Sequence, residues 1–193
     1  FIRRQHLRER SREIDEDGTG DQWGFLSSVC LELEYEARKA DPPARVAILR
    51  FGIVLGRDGG ALEKMLPPFR AYFGGPIGKG DQYWSWIHID DLCAMIARAI
   101  EDSEWRGVFN ATAPHPLTNR AFSKVLARVL RRPSLFVTPP FLMHLMLGEV
   151  ASILTTGQNV VPKKALAKGF AFRWPELEGA LRNLLEPAEA KAG

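Results

Sequence analysis

The stretch RVAILRF, residues 45–51, decides the fold predicted for this chain. Its apolar residues follow one another without alternation, which is typical of a parallel strand covered on both faces. Ahead of it, apolar positions recur at helical spacing over 23–39, and Asp41-Pro42-Pro43 is expected to end that helix. A helix, a short turn and a buried strand in this order predict an α/β protein with a parallel sheet.

The alternation continues towards the C-terminus. Pro67-Pro68 is expected to kink or divide the helix over 61–72, because proline lacks the N–H of the helical bond. Asp90 or Asp91 is predicted to cap the helix over 92–100, and Thr118 the helix that follows. The other predicted elements are short strands over 107–111 and 134–138 and helices over 117–131, 141–154, 162–168 and 175–185.

Composition indicates an ordinary soluble protein. The net charge is only +3 over 193 residues, which does not argue for a nucleic-acid partner, and no stretch reaches the roughly 18 apolar residues of a membrane span. Cys30 and Cys93 lie in apolar helical patterns, as expected of reduced core thiols rather than of a disulfide or metal ligands. We therefore expect a cytoplasmic protein without nucleic-acid or membrane partners.

The two ends of the chain differ from the rest. Five arginines crowd the first twelve residues, which favours a poorly ordered, solvated lead-in over 1–22, with a nucleic-acid arm or a targeting presequence as alternatives. Small and charged residues over 186–193 predict a disordered tail.

The residues with the least ordinary composition lie between Arg70 and Asp91. Glycines over 74–80 could form a phosphate-binding loop, but neither the P-loop spacing nor Gly-x-Gly-x-x-Gly is present. We expect instead a loop that needs positive φ near a ligand pocket. In the aromatic strand that follows, Trp84 and Trp86 are predicted to share one face, which is either core or a pocket wall.

Two charged or titratable side chains have open assignments. His88 is either a ligand-binding or proton-carrying group, or a histidine bonded at the edge of the core. Arg50 lies at the end of a buried strand, so it either pairs with a carboxylate or faces an anionic ligand. The other three histidines have no metal-like spacing, and no metal site is predicted.

Long motifs resemble one known family. GGALEKMLPPF, GGPIGKG, WIHIDD and GQNVVPKKAL, spread over residues 13–185, are similar to the C-terminal half of epimerase-like extended short-chain dehydrogenases/reductases that carry a C-terminal domain of unknown function. The resemblance implies an incomplete Rossmann-type, doubly wound parallel sheet with a smaller α+β substrate lobe. The sheet would comprise 23–58 and 87–112, and the lobe 59–86 and 113–185.

The resemblance also implies a cofactor and a site. NAD or NADP, with NADP favoured, would bind only together with an N-terminal half. Cofactor contacts would come from Phe51, Gly52, Ile53 and Val54, and substrate contacts from Arg50, Gln82, Trp86 and His88. The substrate would be a small molecule such as a sugar nucleotide, and the assembly a homodimer.

Two departures from that superfamily bear on activity. The glycine-rich strand-turn-helix that holds the dinucleotide pyrophosphate is not in this sequence. The Tyr-x-x-x-Lys pair, in which the lysine lowers the pKa of the tyrosine for proton transfer, is replaced by FLSSVC over 25–30. No catalytic residue is therefore predicted. An NAD(P)-dependent oxidoreductase or epimerase-like protein is favoured, the alternatives being a non-catalytic regulatory protein of the cell-division-inhibitor type and a truncated gene product.

Overall fold

The computed structural model describes residues 12–18, 25–40, 44–134, 136–139 and 157–186, with Phe25 and Leu26 described by their backbone only. The predicted helix over 141–154, the tail and most of the lead-in lie outside these residues.

The described residues form helices and short strands that alternate along the chain. The helices are α1 Phe25–Arg38, α2 Gly60–Arg70, α3 Ile89–Glu101, α4 Asn119–Leu130, α5 Lys163–Ala167 and α6 Leu177–Leu185. The strands are β1 Ala47–Phe51, β2 Ile53–Leu55, β3 Tyr83–Trp84, β4 Trp86–His88, β5 Gly107–Ala111 and β6 Leu117–Thr118.

Strand pairing confirms the predicted α/β class with parallel strands. β1 pairs with β5 in parallel, from Ala47 opposite Gly107 to Phe51 opposite Ala111. After Gly52 the same extended chain continues as β2, which pairs in parallel with β4. β3 and β6 form a separate antiparallel pair.

The prediction that Cys30 and Cys93 lie in the core is wrong, because both lie on exposed positions of their helices. Two predicted elements are also wrong in detail. α2 continues through Pro67 and Pro68 instead of dividing there, because its buried Leu62, Leu66 and Phe69 pack into the core and hold the last turn. The predicted strand over 134–138 is reduced to one bridge between Thr138 and Ile77 in the described part of that range.

Two apolar cores organise the described residues. One lies between the sheet and α3 and contains Met95, Trp105 and Phe109, with the last two rings stacked at 4.4 Å. The other joins α2, α4 and α6 and contains Trp84 and Phe122, in edge contact at 5.0 Å. We call the second unit the helical lobe. β2 and β4 reach it through Leu55 and Trp86, so the sheet and the lobe share a boundary.

Candidate functional site

Gly52 marks the point where one strand changes partner. Its N–H donates to the Ala111 carbonyl over 3.1 Å, and the N–H of Ile53 donates to the Ser85 carbonyl over 2.8 Å. A Cβ at Gly52 would lie 2.5 Å from that Ser85 oxygen and 3.0 Å from Thr112 Cγ2. Only glycine fits here, because three chain segments meet at this point.

The predicted cofactor residues surround this junction. Phe51 leaves 58% of its surface exposed at the carboxyl end of β1, while Ile53 and Val54 are half-buried. Ligands of parallel α/β sheets bind beyond the carboxyl ends of the strands. The four residues 51–54 therefore lie where such a ligand would be expected, with an accessible aromatic ring beside a glycine.

Arg50 pairs with a carboxylate, which was one of its two predicted environments. Its Nε lies 2.7 Å from one oxygen of Glu34 in α1, and a terminal nitrogen lies 2.8 Å from the other. The guanidinium also donates to the Gly18 carbonyl over 3.0 Å. The hydrogen bonds with Glu34 raise the pKa of Arg50 and lower the pKa of Glu34. Arg50 thus ties α1 and the 12–18 segment to β1.

The glycine loop over 74–80 is a packed connection. Gly78 and Gly80 have φ of 57° and 67°, as predicted for a loop that needs positive φ. The backbone N–H of Ile77 donates to Asn119 Oδ1 over 2.7 Å, and the N–H groups of Gly78 and Gly80 donate to backbone carbonyls. A phosphate cradle needs free N–H groups, so the geometry argues against one here.

The first turn of α4 holds the same loop from the other side. The N–H of Arg120 donates to the Gly80 carbonyl over 3.0 Å, and the N–H of Asn119 donates to the Gln82 carbonyl over 2.8 Å. These bonds satisfy N–H groups that a helix start leaves without intrahelical partners. Thr118 caps the helix as predicted, since its Oγ1 accepts from the N–H of Ala121 over 3.3 Å.

Gln82 and Trp86, both predicted to contact substrate, are buried. Gln82 is 7% exposed and its Nε2 donates to the Ile77 carbonyl over 3.3 Å. Trp86 is fully buried in the same core as Trp84, which confirms that they share a face, and its Nε1 donates to the His115 carbonyl. Both side chains therefore stabilise the boundary between sheet and lobe.

His88, the fourth predicted substrate residue, is the N-cap of α3. Its Nδ1 accepts from the N–H of Asp90 over 3.0 Å, so the prediction of Asp90 or Asp91 as the cap is wrong. The ring is 1% exposed and lies 5.2 Å from the Trp174 ring. Burial lowers the pKa of His88 below its ordinary value of 6.5, and the Asp90 carboxylate opposes that shift.

Asp90 and Asp91 bind the C-terminal segment instead. The buried carboxylate of Asp91 accepts from the N–H of Arg173 over 2.8 Å and from the N–H of Trp174 over 2.9 Å. Asp90 accepts from Trp174 Nε1 over 3.2 Å. These contacts fasten residues 173–174 to the start of α3. We call the five residues involved the clasp: His88, Asp90, Asp91, Arg173 and Trp174.

A second C-terminal segment crosses the sheet at the Gly52 junction. We call residues 157–161 the strap. Ser85 Oγ donates to the Gln158 carbonyl over 2.8 Å and accepts from the N–H of Val160 over 2.9 Å. Thr112 and Asn110 donate to the carbonyls of Val160 and Val161 over 3.3 and 3.0 Å.

The strap is also held from its other edge. Ile14 forms a parallel bridge with Val160, donating to the Asn159 carbonyl over 2.8 Å and accepting from the N–H of Val161 over 3.0 Å. Sequence reasoning did not identify Ser85, Thr112 or the strap as neighbours of the Gly52 junction. The one indication of them was the motif GQNVVPKKAL, whose length marked it as specific.

Other potential sites are not supported in the described part of the chain. No group of three or more histidine, cysteine or acidic residues there could hold a metal, and no described helix is long and apolar enough to cross a membrane. A groove of about 400 Å³ lies between α3 and residues 168–171. None of the predicted site residues lines it.

Comparison with known proteins supports the family. Residues 138–184 match the model of a domain of unknown function, DUF1731. The Arabidopsis thaliana chloroplastic homolog of epimerase family protein SDR39U1 is 43% identical over 84% of this chain and 47% of its own length. The chain belongs to the epimerase-like family of extended short-chain dehydrogenases/reductases. It spans about half to three fifths of the length of the curated relatives it matches.

Solved structures give the same result for the fold. Human epimerase family protein SDR39U1, crystallised with NADPH, is 38% identical over 91% of this chain and 60% of its own, with a TM-score of 0.85. A nucleoside-diphosphate sugar epimerase from Corynebacterium glutamicum is 28% identical over 93% of this chain and 35% of its own, with a TM-score of 0.69. The predicted Rossmann-type fold is confirmed.

Proposed function

We propose that this chain forms the nicotinamide-side part of an NADP(H) site in a reductase or sugar-nucleotide-epimerase-like protein. The observation that carries the proposal is the Gly52 junction at the carboxyl end of β1, with Phe51 exposed beside it. The NADPH present in the human relative at 38% identity supports NADP over NAD.

The residues at the junction fit one end of the cofactor. A flat ring with a neutral carboxamide can pack on Phe51, Ile53 and Val54, which carry no charge. The pyrophosphate end is bound by the Gly-x-Gly-x-x-Gly turn of dinucleotide-binding proteins, and the sequence does not contain that motif. The N–H groups of Ile77, Gly78 and Gly80 are already bonded. Binding therefore requires a glycine-rich dinucleotide-binding segment in addition to this chain.

All four predicted substrate residues have a structural role in this proposal. Arg50, Gln82, Trp86 and His88 hold the elements around the site through the contacts described above. A direct ligand contact by any of them requires those contacts to open. The substrate class is a small molecule, with a sugar nucleotide favoured by the Corynebacterium relative.

We also propose a division of the chain into two units and its assembly as a dimer. The two apolar cores support a division into sheet segments 23–58 and 87–112 and lobe segments 59–86 and 113–185 over most of the chain. Among the exceptions are Ala165, Phe170 and Phe172, which pack in the sheet core. A cytoplasmic homodimer is proposed for the assembly, and sedimentation equilibrium tests its stoichiometry.

Catalysis needs a group that moves a proton as well as a source of hydride. A bound dihydronicotinamide supplies a hydride, but FLSSVC at the start of α1, where the resemblance places the pair, has neither the tyrosine nor the lysine that would move the accompanying proton. Tyr35 and Lys39 have the same spacing further along the chain, but Tyr35 is 57% exposed and Lys39 lies over its ring. That absence favours a second candidate, a protein that binds the cofactor without turnover.

One experiment separates the two candidates. The full chain is joined to the N-terminal segment of a bacterial relative, and NADPH oxidation is followed over a panel of carbonyl and sugar-nucleotide compounds. Oxidation with any of them supports the enzyme. Saturable NADPH binding without oxidation supports the binding protein, and absence of both contradicts the proposed function.

A further inference from the structure

We propose that the strap, residues 157–161, is a fixed rim of the ligand site, with Ser85 as its positioning residue and Gln158 as its ligand-contacting side chain. This inference rests on the proposed function and extends it to the C-terminal domain, since the strap lies within the matched residues 138–184.

The strap's backbone is fixed along both edges. The Gln158 carbonyl and the Val160 N–H point to Ser85, whereas the Asn159 carbonyl and the Val161 N–H point to Ile14. Hydrogen bonds that alternate between two sides are the pattern of an extended strand within a sheet. A segment bonded on both edges is a rigid wall rather than a mobile lid.

Ser85 is the residue that joins the strap to the predicted cofactor edge. Its carbonyl accepts from the N–H of Ile53 over 2.8 Å, and its hydroxyl bonds the strap at both Gln158 and Val160. Ser85 therefore connects the strap directly to Ile53 and the Gly52 junction. Gly157 is in equally close contact with the neighbouring strand, since a Cβ there would overlap the Tyr83 carbonyl.

Gln158 has the side chain suited to a ligand. Neighbouring side chains of an extended segment point to opposite faces, and Asn159 is the buried one, at 7% exposure. Gln158 is half-buried on the other face, and its amide makes no hydrogen bond to any residue that the structure describes. A carboxamide donates and accepts side by side, so it matches a neutral donor–acceptor pair: the nicotinamide carboxamide or neighbouring hydroxyls of a sugar.

The positioning role of Ser85 is tested on the full 193-residue chain by hydrogen exchange. Ser85→Ala should accelerate exchange of the Val160 N–H at least tenfold, because that N–H loses its acceptor. Thr112→Val is the matched control, since it removes a bond to the Val160 carbonyl and leaves the N–H bonded. Equal exchange rates in the wild type and Ser85→Ala would overturn the positioning role.

The ligand role is tested on the full chain joined to a relative's dinucleotide-binding segment. We expect Gln158→Ala and Ser85→Ala each to weaken NADPH binding, or to raise the KM of a sugar-nucleotide substrate, about tenfold, while Lys168→Ala changes neither. A loss in NADPH affinity that disappears with the 3-acetylpyridine analogue identifies the carboxamide, and a change confined to KM identifies the sugar.

The outcomes separate this inference from the function beneath it. The strap is not a rim of the ligand site if Gln158→Ala and Ser85→Ala both keep the wild-type NADPH affinity and KM while hydrogen exchange shows that the strap is loosened in Ser85→Ala. If the wild-type hybrid binds no nucleotide, the proposed function fails, and the ligand role of Gln158 fails with it. The exchange rate of the Val160 N–H still decides whether Ser85 positions the strap.

Discussion

The Asp91 carboxylate accepts a hydrogen bond from the backbone N–H of Trp174 over 2.9 Å, across 83 residues of sequence. With the second bond to Arg173, this buried carboxylate replaces the water that two backbone N–H groups would otherwise need. Its position in the first turn of α3 also places negative charge at the positive end of the helix dipole. The motif WIHIDD is thus a fastening between the sheet and the C-terminal segment.

Asp91→Ala should lower the free energy of unfolding by about 1–3 kcal/mol, because it leaves two partly buried N–H groups without an acceptor. Urea denaturation measures the loss. Glu101→Ala, at an exposed position on the same helix, is the control and should stay within about 0.5 kcal/mol of the wild type. Equal stability of the two variants would contradict the clasp.

His88 should make stability depend on pH. Its pKa in the folded protein is lowered by burial, so the unfolded chain takes up protons at higher pH than the folded one. The stabilisation is fully present above the ordinary pKa of 6.5 and is lost as the pH falls from there towards the lowered value. The urea midpoint should therefore decrease as the pH is lowered from about 8 to about 5, a range that brackets the ordinary histidine pKa.

His88→Asn serves as the control for that titration. Asparagine is a preferred N-cap and its side-chain oxygen can accept from the Asp90 N–H, but it does not titrate. The variant should show a flatter dependence of the urea midpoint on pH. The same slope in both proteins would assign the dependence to other groups.

Arg50 and Glu34 should behave as a coupled pair. Each single alanine substitution is expected to cost about 1–2 kcal/mol, and the double substitution about as much as one, because the pair is partly buried and bonded through both carboxylate oxygens. A double-mutant cycle in urea measures the coupling. Arg38→Ala is the matched control, since Arg38 contacts the same Glu34 from an exposed position.

Ligand binding gives the complementary test of Arg50. In the NADPH-binding hybrid, Arg50→Ala should change stability more than affinity. A larger loss of affinity than of stability would show that the guanidinium faces the ligand.

Gly52→Ala should destabilise the chain by about 2 kcal/mol or more, because the added Cβ would press on the Ser85 carbonyl at 2.5 Å. Gly56→Ala is its matched control. A Cβ at Gly56 meets nothing within 4 Å, so that substitution should be neutral or stabilising by up to about 1 kcal/mol. Similar melting temperatures for both variants would show that the junction can relax.

The order of helices and strands was predictable because it depends on local patterns. The run around Arg50 has no alternation, and Thr118 is a preferred cap, so both were assigned from neighbouring residues. The cap of α3 was not, because histidine is not a preferred N-cap residue and two aspartates follow it. Those aspartates bond to Arg173 and Trp174, which local sequence does not place nearby.

The site residues depended on contacts that spacing cannot choose. Glu32, Glu34 and Glu36 all lie on α1, and only the three-dimensional packing selects Glu34 as the partner of Arg50. Ser85 lies between two tryptophans and has no distinguishing pattern, yet it bonds the strap some 73–75 residues away. The glycines of the loop over 74–80 predicted positive φ correctly. The hydrogen bonds between that loop and α4 could not be predicted without the three-dimensional structure.

The most direct test of the central claim is a fluorescence titration of NADPH into two proteins: the 193-residue chain alone, and the same chain joined to the dinucleotide-binding segment of a relative. The Gly52 junction supplies only the nicotinamide side, so we expect saturable binding by the joined protein and none by the chain alone. Saturable binding by the chain alone, or none by the joined protein, would contradict the account.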